Sequence, residues 1–517
     1  MAGKRKEIVI SQGTSDPVIN IILDTIEKKK QALVFVNSKR GAESQAEQIA
    51  HKLPPRRDLD GMAERVLAAL SSPTKQCHRL ALCVRHGMAF HHAGLHHAQR
   101  EIVEEGFRAG HIWAICATPT LAQGLDMPAF RTIIRDLKRY GQRGMTDIAV
   151  LEYEQMAGRA GRPGKESFGE AICIAKSQDQ KELIIDKFLR GSPEEIYSKL
   201  AVEPVLRTYV LSLIASGFVA TRKSLFEFFD ATFYAAQFQD VRVLHQTIDR
   251  MLNLLFEWGF IEYLKDDFQS ADKYLDDALS ATPVGKRVSE LYVDPFSASY
   301  LIGSLKDAKS PSAFGLLFLT CRCLELRPYL NVGVREYDTI ISRLAQRQDE
   351  LLEPEPSQYG DDFEEFLQSF KTSLFLDDWI DERDEEYLME TFAIRPGEIH
   401  AKLDIADWIL FCAEELSRML GLKRHISVIA RLRLRLKYGV RDELLALLRL
   451  KGVGRVRARK LYESGIKDVG DMKKAPITTL ARLVGPKVAQ GLKGQVGEPK
   501  DDGAPRRSGQ SGLGDFA

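Results

Sequence analysis

No run of apolar residues in this sequence approaches the roughly 20 needed to cross a bilayer, so a membrane-spanning protein is not expected. The N-terminus, Met1-Ala-Gly-Lys-Arg-Lys-Glu-Ile8, starts basic but lacks the apolar stretch of a secretion signal. Cysteine is sparse: seven residues, scattered without a disulfide spacing, as in proteins of a reducing compartment. These absences predict a soluble, cytoplasmic chain. Also missing is a phosphate-cradling P-loop, because Gly164-Lys165 and Gly285-Lys286 lack both the upstream glycine and the following Ser/Thr. Asp381-Glu-Arg-Asp384 spells a Walker-B-like string, but it sits in an acidic stretch rather than at the end of an apolar strand, and it reads as a decoy.

What is present is ordinary globular material, 44% hydrophobic and 28% charged, in a 517-residue chain too long for one core. A net charge of +1 hides a strong asymmetry. Between 361 and 390, twelve Asp/Glu face two Lys/Arg, whereas between 421 and 460, thirteen Lys/Arg face two Asp/Glu. The basic stretch suits a phosphate-binding surface or a solvated helix face, and charge alone does not choose between them.

Apolar β-forming runs recur at Gln31–Asn37, Met88–Phe90, Trp113–Ala117, Thr132–Ile134 and Ala171–Ala175, separated by helical segments beginning with Pro17–Glu27. Strand alternating with helix predicts a parallel α/β sheet. After about residue 195 the pattern becomes helical, interrupted by two short strand-like runs near 259–264 and 279–288, as in a winged helix. Short helices joined by glycine turns follow at 440–490, and the final residues have the composition of a disordered tail.

Leu151-Glu-Tyr-Glu-Gln-Met-Ala-Gly-Arg-Ala-Gly-Arg-Pro-Gly164 places two arginines three apart, each after a glycine that keeps bulk away from an approaching phosphate. Arginine matches phosphate oxygens with a permanently charged fork and can stabilise charge on a transferring phosphoryl group. Alone, the segment could also be a glycine-rich turn with exposed arginines. It follows, in order, Val34-Phe-Val-Asn-Ser38, Phe90-His-His-Ala-Gly-Leu95 and Cys116-Ala-Thr-Pro-Thr-Leu-Ala-Gln-Gly-Leu-Asp-Met-Pro128. In that order these segments resemble motifs IV, V and VI of the second RecA-like domain of Ski2-like superfamily 2 helicases, closest to the archaeal fork-repair DNA helicases.

The resemblance implies an α/β fold followed by mostly α structure. Its parts would be a remnant of the inter-motor linker (1–30), a second RecA-like domain (31–195), a winged helix (196–295), a helical ratchet domain (296–425), a helix-hairpin-helix domain (426–492) and a disordered tail (493–517). It implies that Arg162, as arginine finger, with Arg159 and Gln155, faces ATP, and that Gly124 and Asp126 approach its ribose. Asn37, Ser38 and Thr118 would lie on the nucleic-acid side. A hairpin around Tyr140 and Arg143 would be the strand-separating pin; without the family it is a plain surface hairpin. Trp408 would stack on a base of single-stranded DNA, although a core tryptophan is the commoner fate, and position 401, where a basic partner would help, is alanine.

Leu450-Lys-Gly-Val-Gly-Arg-Val-Arg-Ala-Arg-Lys-Leu461 independently fits a helix-hairpin-helix, in which Gly452 and Gly454 admit a phosphate and Arg455, Arg457 and Arg459 add non-specific charge. Gln510, Leu513 and Phe516 have the spacing of a sliding-clamp-binding peptide. Cys77, His78, Cys83, His86, His91, His92, His96 and His97 crowd together, but their spacings match no standard zinc pattern, and no metal is expected.

The expected function is therefore the C-terminal portion of an ATP-dependent 3′–5′ DNA helicase acting on forked or single-stranded DNA in repair, nucleoid-associated, with a sliding clamp as a further partner. ATP and Mg would be held jointly with a first RecA-like domain on another polypeptide, and the chain alone should lack ATPase activity. A non-catalytic DNA-binding module and a truncated reading frame remain as alternatives.

Overall fold

The computed structural model describes residues 9–70, 72–122, 127–141, 144–161, 164, 167–200, 202–238, 241–264 and 278–497. Two compact units result, Met1–Ser198 with Glu385–Lys402, and Lys199–Asp384 with Leu403–Ala517.

The first unit is built on a parallel sheet. Its strands are β1 (Ala32–Phe35), β2 (Met88–His91), β3 (Ala114–Ala117), β4 (Arg131–Ile134) and, numbering past a hairpin, β7 (Glu170–Cys173). Their order is β2-β3-β1-β4-β7, with Leu33 opposite Ile115 on one side and Thr132 on the other. All four residues of β1 are buried, which is why that run reads as continuously apolar rather than alternating. Capping side chains start the flanking helices: Asp16 accepts from Val18 N ahead of Pro17–Glu27, Ser38 from Gly41 N ahead of Lys39–Ala50, and Thr74 from Cys77 N ahead of Lys75–Arg85. Gly87 and Gly110, at φ 73° and 80°, turn the chain from helix ends toward β2 and β3.

At the start of β4, Arg131 is 1% exposed yet paired with Asp24 and Glu170. Asp24 and Glu170 together satisfy the buried guanidinium, and the Asp24 arm ties Pro17–Glu27 to the sheet. Between β4 and the Val150–Ala157 helix, β5 (Lys138–Gly141) and β6 (Gly144–Asp147) pair antiparallel, with Tyr140 opposite Met145.

The second unit contains a winged-helix arrangement and two helical segments. The helices Glu203–Ala215, Arg222–Asp230 and Arg242–Glu257 pack over the ribbon β8 (Ile261–Leu264) and β9 (Ala278–Ala281), around Leu206, Phe229, Leu252 and Phe260. In the helical segment that follows, Ala313–Cys321 lies along Phe363–Ile380, where Phe314 and Phe318 meet Phe370 and Phe366 edge to face. Short helices from Arg455 to Val496 close around Leu461, Met472, Leu480 and Leu492.

The expected α/β-then-α organisation is what is found. The last helix, Pro486–Val496, runs past the expected boundary at 492, because Leu492 is buried in that core and Lys493 Nζ donates to the Lys473 carbonyl. Asp381, in the Walker-B-like string, ends the Phe363–Ile380 helix and borders no strand. Among the described residues no helix is long and apolar enough to cross a membrane.

Candidate functional site

The two edges of the parallel sheet carry different residues. At the edge where β1 and β3 end, Val36 N donates to the Ala117 carbonyl, which sets Asn37 and Ser38 beside Thr118. Asn37 is exposed and anchored: its N–H donates to Asp136 Oδ2 at 3.1 Å and its amide to the Lys138 carbonyl at 3.2 Å, tying the strand end to the hairpin base. Ser38 caps a twelve-residue helix whose free N–H groups face the same edge, the arrangement that accepts a phosphate. The Thr118 hydroxyl lies 2.9 Å from that of Thr120. A cleft of about 650 Å³ opens here, lined by Asn37, Arg135, Lys138 and Met145 among others.

The opposite edge, where β4 and β7 begin, holds the glycine-arginine segment. Ala129 N donates to the Arg159 carbonyl at 2.9 Å, and Gly161 N donates back to Ala129 at 2.7 Å. The Arg159 guanidinium reaches the Ala122 carbonyl at 2.5 Å and so braces the segment containing Thr118 from behind. Gln155 stands exposed on the preceding helix, one turn before Arg159. Gly161 takes φ 96°, and Gly169 passes so close to the Ala160–Gly161 backbone that no side chain fits. Gly124, Asp126, Arg143, Arg162, Gln510, Leu513 and Phe516 lie outside the described residues, as does the Tyr140 side chain.

Trp408 is half-buried against the winged-helix core, with Nε1 donating to the Leu291 carbonyl at 3.3 Å. Gly452 and Gly454 are exposed, with open space where a side chain would stand, and Gly452 takes φ 87°. Of the three hairpin arginines, two turn toward the chain itself. Arg455 donates to the Arg383 carbonyl at 2.6 Å and lies over the Trp379 ring, while Arg459 pairs with Glu382 and Glu443. Arg457 is exposed and bonds the Gly452 carbonyl, beside exposed Lys451 and Lys460. Much of the basic stretch thus meets nearby carboxylates: Arg431 with Asp442, and Arg433 with Asp407 and Glu414.

The crowded histidines serve other ends. His91 bonds Glu104, and His92 bonds Glu43 at 3.0 and 3.1 Å respectively. Among the described residues no group of three His, Cys, Asp or Glu side chains is placed to hold a metal.

Sequence reasoning passed over Glu43. It is 3% exposed and takes hydrogen bonds from Gln76, Arg79 and His92, with Arg395 Nε 3.3 Å away. Burial pushes its carboxyl up, but the bonds from His92 and Gln76 and the charge of Arg395 outweigh it and hold the pKa at about 2. Gly94 N donates to His92 Nδ1, so the ring proton is on Nε2, facing Glu43. Burial holds His92 below the ordinary imidazole range despite this carboxylate, so the pair is an ionised acid beside a neutral imidazole. A glutamate inside a helix carries no sequence signal for this.

A parallel sheet with a capped, exposed helix start on one edge and a braced glycine-arginine segment on the other, followed by winged and hairpin folds, is the arrangement of a helicase motor lobe with accessory domains. Residues 15–164 match the model of the helicase conserved C-terminal domain, 169–262 a helix-turn-helix domain, 314–439 archaeal helicase domain 4, and 444–495 a SAM-like helix-hairpin-helix tandem. The ATP-dependent DNA helicase Hel308 of Methanocella arvoryzae is 38% identical, covering 99% of this chain and 70% of that protein. Its counterparts from Methanococcus vannielii and Pyrococcus abyssi are 35% and 36% identical, with 68% and 66% of their lengths covered. This chain belongs to the Hel308 family of Ski2-type DNA helicases, and it spans about two thirds of the length of the curated relatives it matches.

Proposed function

We propose that this chain is the second motor lobe and DNA-handling part of an ATP-dependent 3′–5′ helicase acting on forked or single-stranded DNA. ATP is then held jointly with a first motor domain outside this sequence. The separation of the two sheet edges carries the reading: Asn37, Ser38 and Thr118 serve the nucleic acid, and Gln155 and Arg159 the nucleotide, with Arg162 joining them on its place in the motif alone.

The residues fit one wall of a nucleotide cleft. The Gly161–Gly169 approach fixes the backbone of the glycine-arginine segment, and the arginines would supply charge for the γ-phosphoryl. The carboxylates of Asp24 and Glu170 at this edge are both taken by Arg131, so magnesium would be held from the other wall. ATP supplies the free energy of each step; this chain would contribute orientation and positive charge. One wall alone cannot position the reacting groups.

The test is DNA-stimulated ATP hydrolysis by the chain alone and mixed with a first motor domain from a relative, with Arg162→Ala as the control. Activity confined to the mixture and lost in the variant supports the proposal. Tight, ATP-independent binding of forked DNA with no restored hydrolysis would instead make this a binding module.

A further inference from the structure

The cleft of about 650 Å³ at the hairpin base lies wholly within the sheet-containing unit. From β1 the chain passes to β2 and β3 on one side, whereas β4 and β7 lie on the other, so the strand order reverses between β1 and β4. The crevice beyond the carboxyl ends of strands at such a reversal is where open α/β sheets hold ligands. Asn37, leaving β1, and Arg135, leaving β4, both line this crevice. Its volume falls in the range of about 300–1,000 Å³ typical of ligand pockets.

The lining is apolar below and charged at the rim. Phe188 is buried, but Met145 on β6 and Leu183 on the Gln178–Ile184 helix line the same cleft at 54% and 68% exposure. A single exposed apolar side chain is unremarkable; two lining one cleft from different elements form a surface that a flat apolar group would cover. Three acids line the cleft, and each is engaged. Asp16 caps its helix and takes the Gln45 amide, and Asp136 takes the Asn37 N–H and Arg135. Asp147 faces two ammonium groups, pairing with Lys187 at 2.6 Å while Lys138 stands 3.9 Å away. With Lys176 exposed at the same cleft, the rim keeps positive charge to offer a phosphate.

We propose that this cleft receives one nucleotide unit of single-stranded DNA, its base against Met145 and Leu183 and its phosphate on Lys138 and Lys176. The proposal rests on the reading of the Asn37–Thr118 edge as the nucleic-acid side. Asn37 belongs to both places, and its amide bonds the Lys138 carbonyl, so a strand lying on that edge meets the cleft next. An unpaired base exposes a flat apolar face that this lining covers without reading its sequence.

Crosslinking tests this: the full chain is irradiated with an oligothymidylate carrying 4-thiothymidine, and the attached peptides are mapped by mass spectrometry. Crosslinks are expected within 144–147 and 178–188, as well as at the edge. Leu183→Ser should cut the cleft crosslinks about fivefold, the order expected when an apolar contact is lost, and leave their salt dependence unchanged. Lys138→Ala and Lys176→Ala should also cut them, each lowering the slope of log K against log salt by about 0.7. Leu183 is exposed, so its variant should fold; Met145→Ser repeats the test from the other wall. Thymidine monophosphate at the same nucleotide concentration should displace little. Complete displacement would make this a free-nucleotide site and overturn the proposal, as would cleft crosslinks indifferent to Leu183→Ser and Met145→Ser. Crosslinks confined to 37–38 and 118–120 would overturn the cleft and keep the edge. Their absence from the whole sheet-containing unit would overturn the edge reading, and the proposal with it.

Discussion

Arg459 and Glu382, 77 residues apart, form a two-pronged ion pair in which Nε and Nη2 each donate to a different carboxylate oxygen, at 2.8 and 2.5 Å. Partial burial pushes the Glu382 carboxyl up, but the Arg459 bond and the Arg441 N–H hold it below the usual range. With Arg455 on the Arg383 carbonyl, this pair docks the helix-hairpin-helix segment on the end of the Phe363–Ile380 helix. Arginines that in sequence look offered to DNA are, in this state, spent on the protein.

Glu382→Ala combined with Glu443→Ala should release Arg459, which pairs with both. Single-stranded DNA should then bind more tightly at low salt, with a salt slope steeper by about 0.7 for one added phosphate contact. Fluorescence titration at several salt concentrations measures this. An unchanged slope would mean that Arg459 does not reach the strand even when free.

Arg159→Ala should destabilise the sheet-containing unit by about 1.5–3 kcal/mol, the range for a hydrogen bond to a charged group, since the Ala122 carbonyl loses its donor. Urea unfolding of the chain alone reads this without any nucleotide. Full stability in the variant would show that Arg159 is free to serve the nucleotide only.

Gly169→Ala and Gly454→Ala should separate packing from ligand approach. At 169 the methyl meets the Ala160–Gly161 backbone, and a loss of about 1–3 kcal/mol is expected from overpacking. At 454 the space is open, so stability should hold while DNA affinity falls. Thermal melts alongside binding isotherms compare the two variants directly.

Acid should weaken the fold before the carboxylates titrate. Burial, reinforced by the nearby charges of His400 and His97, lowers His96 to about 4, and burial lowers His91 and His92 as well. Each is neutral when folded and takes up a proton on unfolding as pH falls below its ordinary value near 6.5. Stability is therefore intact above that pH and declines between about 6.5 and 4. His96→Gln should lessen the fall in melting temperature across that window without abolishing it, because His91 and His92 still contribute, as measured by calorimetry in steps of pH. Glu43 acts lower: its depressed pKa contributes stability above about 4.5 that is lost as pH falls toward 2.

Much of the fold was legible because local signals agreed. Apolar runs at Gln31–Asn37 and Trp113–Ala117 became neighbouring strands, and Pro17–Glu27 is the helix its proline and capping aspartate indicate. Asn37, Ser38 and Thr118 do share one edge of the sheet, but Arg159 spends its donor on a backbone carbonyl, which no spacing predicts. That Glu382 of the acidic stretch meets Arg459 of the basic one was illegible for the same reason. Charge counts show segregation along the chain, not which partners meet.

By itself, the sequence determined the family, the order of its domains and the glycine-flanked arginines of its motor lobe, because these rest on residue type at short spacing. Only the tertiary structure decided that Glu43, buried in a helix, gathers Arg79, His92 and Arg395. It alone decided, too, that residues 385–402 belong with a sheet whose first strand lies some 350 positions earlier. A carboxylate becomes a node only when distant donors converge on it in a space without water, and that convergence is a property of the packed core.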